Sequence, residues 1–343
     1  MIQRVNPLDD ADWDALIKTC PSASFFHGAA WARVLHCTYG FSPSYFLVGD
    51  RGGLHSLLPV MGVKSWLTGR RGISLPFTDE CAPLCPDGDS CRRLFDAAIA
   101  HARACAWKYL EFRGGRPLFE NAVTSTSFLG HRLDLGADEA ALFGRVDSSV
   151  RRAVRKAEQC GVTVEFSQDL EALRAFYGLL GTTRKRHGVP PQPWNFFANI
   201  HRHVMATGQG WVVLARHQGV PVAGAVFFHF QKTAIYKYGA SDDAYQHLRA
   251  NNLVMWQAIK RYAQEGCAVL DFGRTSLGND GLRRFKLGWG TTEHPIEYVK
   301  YDLRSGGFVT AQDEAAGWHN HVFRHLPVFL SRAAGRLLYR HIA

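Results

Sequence analysis

Two stretches of the chain repeat one another at a constant offset, and this repetition restricts the fold more than any other feature. Ala98-Ile99 corresponds to Ala258-Ile259, and Leu110-Glu-Phe112 to Leu270-Asp-Phe272, without a gap. In each copy a helical pattern (Cys91 to Ala106; Leu253 to Gln264) leads into a short strand ending apolar–acid–Phe. An offset shared by helix and strand together indicates an internal duplication of one α/β unit. The length agrees, since 343 residues is long for one domain and comfortable for two.

The flanking patterns fit two such units. Tyr45–Val48 and Leu54–Met61, joined through Gly49-Asp-Arg-Gly-Gly53, predict a β-hairpin. Trp211–Arg216 and Val222–Phe228 predict another, followed by the alternating strand Thr233–Ser241. Between the copies, residues 147–161 predict a helix with Ser148 or Ser149 as N-cap and Gly161 as its stop. Leu326 to Ala343 reads as a basic helix with Phe329, Ala333, Leu337 and Leu338 near one face, suited to packing on the second unit or resting on a membrane surface.

Charge narrows the partners. A formal charge of +10 favours phosphate-bearing ligands: nucleic acid, a nucleotide- or lipid-linked substrate, or an anionic membrane. The eight cysteines are scattered, and Cys81-x3-Cys85-x5-Cys91 lacks the paired spacing and histidines of a zinc site, so reduced thiols and no metal are expected. No window approaches the roughly eighteen apolar residues of a membrane span, and the first residues lack an apolar leader core. A cytoplasmic protein, at most peripheral to the inner membrane, is the expectation.

The chemistry is sought between Asp271 and Gly290. Cys267-Ala-Val-Leu270 reads as a strand ending in the Asp271 carboxylate, followed by a glycine-bearing loop and by Lys286 between Phe285 and Trp289. A lysine flanked by aromatic rings is either partly desolvated, which strengthens its charge, or snorkels from a solvated loop, the commoner case for these residue types. Asp271 at such a strand end orients an amine, takes its proton, or pairs with Arg274 or a loop lysine. Tyr236 and Tyr238, two positions apart in a strand, point the same way. Arg151, Arg152, Arg155 and Lys156 lie on successive turns of the 147–161 helix, as a basic stripe for phosphate or as a solvated face.

Four motifs in order, Arg151–Val162, Tyr236-Lys-Tyr-Gly-Ala-Ser241, Asp271-Phe-Gly-Arg274 and Phe285-Lys-Leu-Gly-Trp-Gly290, together resemble the Fem family of tRNA-dependent aminoacyltransferases. The resemblance is greatest to the FemAB-like branch associated with exosortase and exopolysaccharide loci. It implies two tandem GNAT-like (acyl-CoA N-acyltransferase) domains: 1–145 for binding or scaffolding, 146–310 for catalysis, and a tail over 311–343. It implies transfer of an activated acyl or aminoacyl group to an amine of a peptidoglycan precursor or other cell-envelope or exopolysaccharide substrate. Lys286 then stabilises the oxyanion, with Asp271 beside it. Arg151, Arg152, Arg155, Tyr236, Tyr238, Ser241, Arg274 and Trp289 bind the phosphate-bearing acceptor. The long helical hairpin of the bridge-forming enzymes has no counterpart here.

No cofactor is implied; the co-substrate is aminoacyl-tRNA or acyl-CoA, with tRNA as a partner in the first case and no stable protein partner in either. A coenzyme A site needs glycines in a loop before a helix, where backbone amides meet pyrophosphate. Here that segment is Gln246-His-Leu-Arg-Ala-Asn-Asn252, without glycine, leaving Arg249 as a phosphate contact and Asn251 or Asn252 as N-cap. A non-catalytic phosphate-polymer-binding protein of a polysaccharide pathway is the third alternative. On the enzymatic reading, Lys286→Ala abolishes transfer and leaves the thermal midpoint nearly unchanged.

Overall fold

The computed structural model of the chain describes residues 1–50, 53–310 and 327–342. Two compact units emerge: Met1–Phe128 with Pro295–Ala315 and Leu338–Ala343, and Leu129–His294 with Ala316–Leu337. The division falls earlier than residue 145 because Leu133, Leu135, Leu142 and Val146 are buried in the second unit's core. Of the expected 311–343 tail, residues 311–326 lie outside the described residues.

The first unit contains β1 (Gln3–Val5), α1 (Trp13–Lys18), α2 (Ala29–Tyr39), β2 (Ser42–Pro43), β3 (Tyr45–Asp50), β4 (Gly53–Leu58), β5 (Met61–Ser65), β6 (Gly69–Ile73), α3 (Gly88–Ala104), β7 (Tyr109–Arg113) and the start of β8 (Thr124–Asp134). The predicted hairpin is present, with Leu47 opposite Leu57. Its second strand stops at Leu58 instead of running to Met61, since Pro59 has no N–H to give to a ladder. Phe95, Leu94 and Ala98 of α3 pack with Leu110 and Phe112 of β7 in one core.

The second unit runs through α4 (Glu139–Arg145), α5 (Ser148–Gln159), β9 (Thr163–Ser167), α6 (Leu170–Arg186), α7 (Trp194–Ile200), β10 (Gly210–His217), β11 (Val220–Phe230), β12 (Thr233–Ser241), α8 (Ala250–Gln264), β13 (Val269–Ser276) and α9 (Asp280–Leu287). Then come β14 (Thr292–Asp302), which the chain follows back into the first unit, β15 (Gly307–Val309) and α10 (Val328–Leu338). Strands β9 to β13 lie in the order β9-β10-β11-β12-β13, antiparallel except for the last pair. β11 is buried almost continuously, as a strand covered on both faces must be.

The duplication is visible in the strand pairing. β7 lies parallel to β6 with Leu110 beside Gly72 and Glu111 beside Ile73. β13 lies parallel to β12 with Leu270 beside Ala234 and Asp271 beside Ile235. Each parallel pair is joined through the helix that the repeat contains, α3 or α8, as a parallel connection requires. The residues that repeat are therefore those that fix the same crossover twice.

Three local expectations are corrected. β13 continues to Ser276, so Asp271 is its third residue and not its end. Asp147, not Ser148 or Ser149, precedes the first turn of α5, although Gly161 does take the left-handed conformation that stops it. Among the described side chains of α10 the buried positions are Ser331 and Gly335, while Ala333 is exposed and Leu337 is 71% exposed; the side chain of Phe329 lies outside the described residues. The helix seats against the second unit at Gly335, where the Pro191 carbonyl leaves no room for a Cβ.

The tyrosine pair is the fourth correction. The β11–β12 register slips between Val226 and Phe227, placing Tyr238 opposite Val226 and Tyr236 opposite Phe227, with Lys237 as the extra residue of a bulge. A one-residue slip turns the two tyrosines to opposite faces. Tyr236 packs on Phe227 and Phe272, whereas Tyr238 packs on Phe196 and Phe197 of α7.

Candidate active site

Lys286 lies in the last turn of α9, a helix whose N-cap Asn279 accepts the Leu282 N–H. Its residue is only 2% exposed. The Lys286 Nζ donates to the carbonyls of Gly273 (2.8 Å) and Arg274 (2.9 Å) on β13. The backbone that follows is equally fixed: the Trp289 N–H and the Thr291 hydroxyl both donate to the Lys286 carbonyl. Gly290 has φ +78° and sits so close to Arg145 that a side chain would press on that residue's carbonyl. The Lys-Leu-Gly-Trp-Gly run is therefore the turn that buries the ammonium.

Asp271 fixes the same segment of β13 through a backbone N–H. Its carboxylate accepts the Gly273 N–H at 2.7 Å, and Gly273 takes φ +70° in the middle of the strand. A strand residue in the left-handed region turns its peptide off the regular ladder. The side chain at 271 thus fixes the peptide that immediately precedes the Gly273 carbonyl holding Lys286. Its carboxylate also pairs with Arg132 of β8 (3.6 Å).

His131, Arg283 and Glu293 complete the cluster. His131 is fully buried, with Nδ1 3.7 Å from a Glu293 oxygen and neither ring nitrogen in a hydrogen bond among the described residues. Arg283 grips Glu293 with two donors, Nε at 2.7 Å and Nη2 at 2.8 Å, which hold that carboxyl below its ordinary range. Burial first, and the Lys286 charge second, push the His131 imidazole down to about 4, against the opposing pull of Glu293. At neutral pH the cluster is thus a fixed cation beside a neutral imidazole. Thr275 and Trp289 are also buried, and their Oγ1 and Nε1 have no hydrogen-bond partner among the described residues. Buried polar groups left open are uncommon in structural cores and collect at functional sites.

The remaining predicted residues separate. Arg151 donates to the Gly144 carbonyl at 2.8 Å and to that of Phe143, closing the end of α4. Arg152 and Arg155 are exposed on α5, Arg155 over the Phe143 ring. Ser241 is clipped through its backbone to the Thr183 hydroxyl of α6. Arg249 is exposed and has φ +59°, and α8 begins directly after it at Ala250, so neither Asn251 nor Asn252 caps the helix. The three cluster members that residue type alone does not reveal are His131, Arg283 and Glu293. Only one signal bears on them: His131 and Leu133 of β8 and Leu135 just after it alternate inward.

Residues 144–294, which contain Lys286 and nearly all of this cluster, match the model of the acetyltransferase (GNAT) domain. The crystal structure of FemX superposes with a TM-score of 0.68 over 87% of this chain and 96% of that one, at 16% identity. The chain shares the fold of FemX. A tandem GNAT protein from the clavulanic acid biosynthesis pathway superposes at a TM-score of 0.54, covering 88% of this chain and 98% of that one at 12% identity. In sequence, 86 residues are 31% identical to the lipid II:glycine glycyltransferase of Staphylococcus haemolyticus (strain JCSC1435), covering 23% of this chain. The match spans only 20% of that relative's length. This GNAT-type, Fem-like fold agrees with the α+β class and the tandem arrangement expected from the repeat.

The structure revises the expectation for Lys286 in one respect. A lysine that ties two strand carbonyls while almost fully buried contributes to folding as well, so its loss cannot leave stability untouched.

Proposed function

We propose that the chain is an N-acyltransferase whose second unit carries the reaction, with Lys286 as its electrostatic centre. The nitrogen of an acceptor amine adds to the ester carbonyl of an aminoacyl donor. The carbon–oxygen bond to the donor breaks, and the surplus amine proton leaves with the departing hydroxyl. Negative charge gathers on the carbonyl oxygen in between. The observation that carries this reading is the ammonium held at a fixed place by Gly273 and Arg274 inside low-dielectric surroundings. A preorganised charge of this kind stabilises an oxyanion without reorganisation, typically by about 100- to 1000-fold in rate.

Support for an aminoacyl donor comes from the sequence match to a lipid II glycyltransferase and from the positive charge of the chain, which suits tRNA. The acceptor is taken to be an amine on a peptidoglycan precursor or a related cell-envelope or exopolysaccharide substrate, in the cytoplasm or at the inner membrane surface. Arg152 and Arg155, exposed on α5, are assigned to its phosphates. The test is transfer of a radiolabelled aminoacyl group from charged tRNA to a peptidoglycan precursor by wild type and Lys286→Ala. Transfer by wild type alone is expected, and equal transfer by both removes Lys286 from the mechanism.

One observation favours a second reading, an acyl-CoA donor. The first turn of α8 has no side-chain cap, and Arg249 supplies by a left-handed backbone the turn that glycine usually makes before a pyrophosphate-binding helix. Calorimetric titration with acetyl-CoA decides between them: micromolar binding selects the thioester donor.

A further inference from the structure

A groove on the second unit, built from elements other than those around Lys286, carries its own chemistry. It lies between α6 and α10, with a volume of about 580 Å³, and Arg174, Tyr177, Trp194, Arg332 and Arg336 line it. Arg174 lies over the Trp194 ring at 5.8 Å and Arg332 over the Tyr177 ring at 4.9 Å. The rings themselves are locked, 5.2 Å apart, with the Tyr177 hydroxyl donating to the Gln192 carbonyl.

None of the three arginines has a carboxylate partner among the described residues, and no acidic residue lines the groove. The Arg332 Nε is buried without an acceptor among the described residues. Guanidinium groups laid on aromatic faces, as those of Arg174 and Arg332 are, keep their donor edges in a set direction, and Arg336 adds a third at the same groove. Three of them around one concavity repel each other unless an anion sits between them. A phosphate or diphosphate supplies both the charge and the oxygens for bidentate bonds.

We propose that this groove is a binding site for the phosphate of an organic phosphate ligand. The site does not depend on the transfer reaction proposed above. Two sources share that chemistry. One is a soluble phosphate compound, and the other a phospholipid headgroup, for which the exposed Leu330 and Leu337 on the same helix offer apolar anchors.

The test uses the full chain at low ionic strength. Inorganic pyrophosphate is titrated calorimetrically, and phosphatidylglycerol vesicles are used in sedimentation with phosphatidylcholine vesicles as reference. Arg174→Ala and Arg336→Ala should each weaken binding by about 10- to 100-fold. Lys232→Ala, which removes an exposed positive charge in the β11–β12 turn, should change it less than about twofold. Circular dichroism confirms that each variant is folded, and Arg174, on α6, keeps the test valid if the α10 substitution loosens its helix. Pyrophosphate binding without vesicle binding identifies a soluble ligand. Arginine-dependent vesicle binding that Leu337→Ser also weakens identifies a lipid. The proposal is overturned if wild type binds neither probe, or if folded Arg174→Ala/Arg336→Ala binds as wild type does.

Discussion

Replacing Lys286 by methionine keeps the length of the side chain and removes its charge. The carbonyls of Gly273 and Arg274 then lose donors at 2.8 and 2.9 Å, in a place where the side chain is 2% exposed and water does not replace them. Hydrogen bonds from a charged donor contribute about 1.5–3 kcal/mol each. Relief of the ammonium's own desolvation and the apolar packing of methionine return part of that. A net loss of about 2–4 kcal/mol follows, or about 5–15 °C in the melting midpoint for a folding unit of this size. The same substitution removes a positive charge that depresses His131, so the imidazole's protonation moves to higher pH. The assay is urea denaturation at pH 7 and pH 5, paired with single-turnover transfer at a temperature where the variant is fully folded. Transfer should fall by about 100- to 1000-fold in the folded variant. A variant as stable as wild type refutes the account of the buried ammonium. One that is destabilised but transfers at an undiminished rate leaves Lys286 a structural residue.

Three further outcomes are expected. The lowered His131 pKa means that the native state resists a proton the unfolded chain accepts, so stability is full above pH about 6.5 and declines toward pH 4, by about 3 kcal/mol in all; His131→Gln should flatten urea midpoints across that window, and an unchanged slope contradicts the assignment. Gly273→Ala forces a side chain into φ +70°, at a cost of about 1–2 kcal/mol, and turns the carbonyl off Lys286, so transfer should fall together with the thermal midpoint. Arg151→Ala uncaps α4 and should cost about 1 kcal/mol in denaturation with little effect on transfer, whereas Arg152→Ala and Arg155→Ala should raise the KM for a phosphate-bearing acceptor at unchanged stability. Equal effects of all three on KM contradict that division.

The repeated helix–strand pattern determined by itself that the chain is built of two related α/β units, because hydrophobic periodicity and a constant offset are local properties that no later packing reverses. The Phe-Lys-Leu-Gly-Trp-Gly run marked Lys286 as either desolvated or snorkelling from a solvated loop, and only the tertiary structure decided that it is buried. What the sequence left open depends on partners far apart in the chain. His131 meets Glu293 across 162 positions of sequence, and nothing near either residue signals the other. The bulge at Lys237 turns two tyrosines of apparently equal phase to opposite faces, a register slip that only pairing with β11 imposes. Asp271 reads as a strand-end carboxylate, yet the strand continues past it, and its carboxylate holds the N–H of the left-handed Gly273, one peptide before the carbonyl that meets the buried ammonium. Alternation specifies which residues face inward, but long-range pairing alone decides what they meet there.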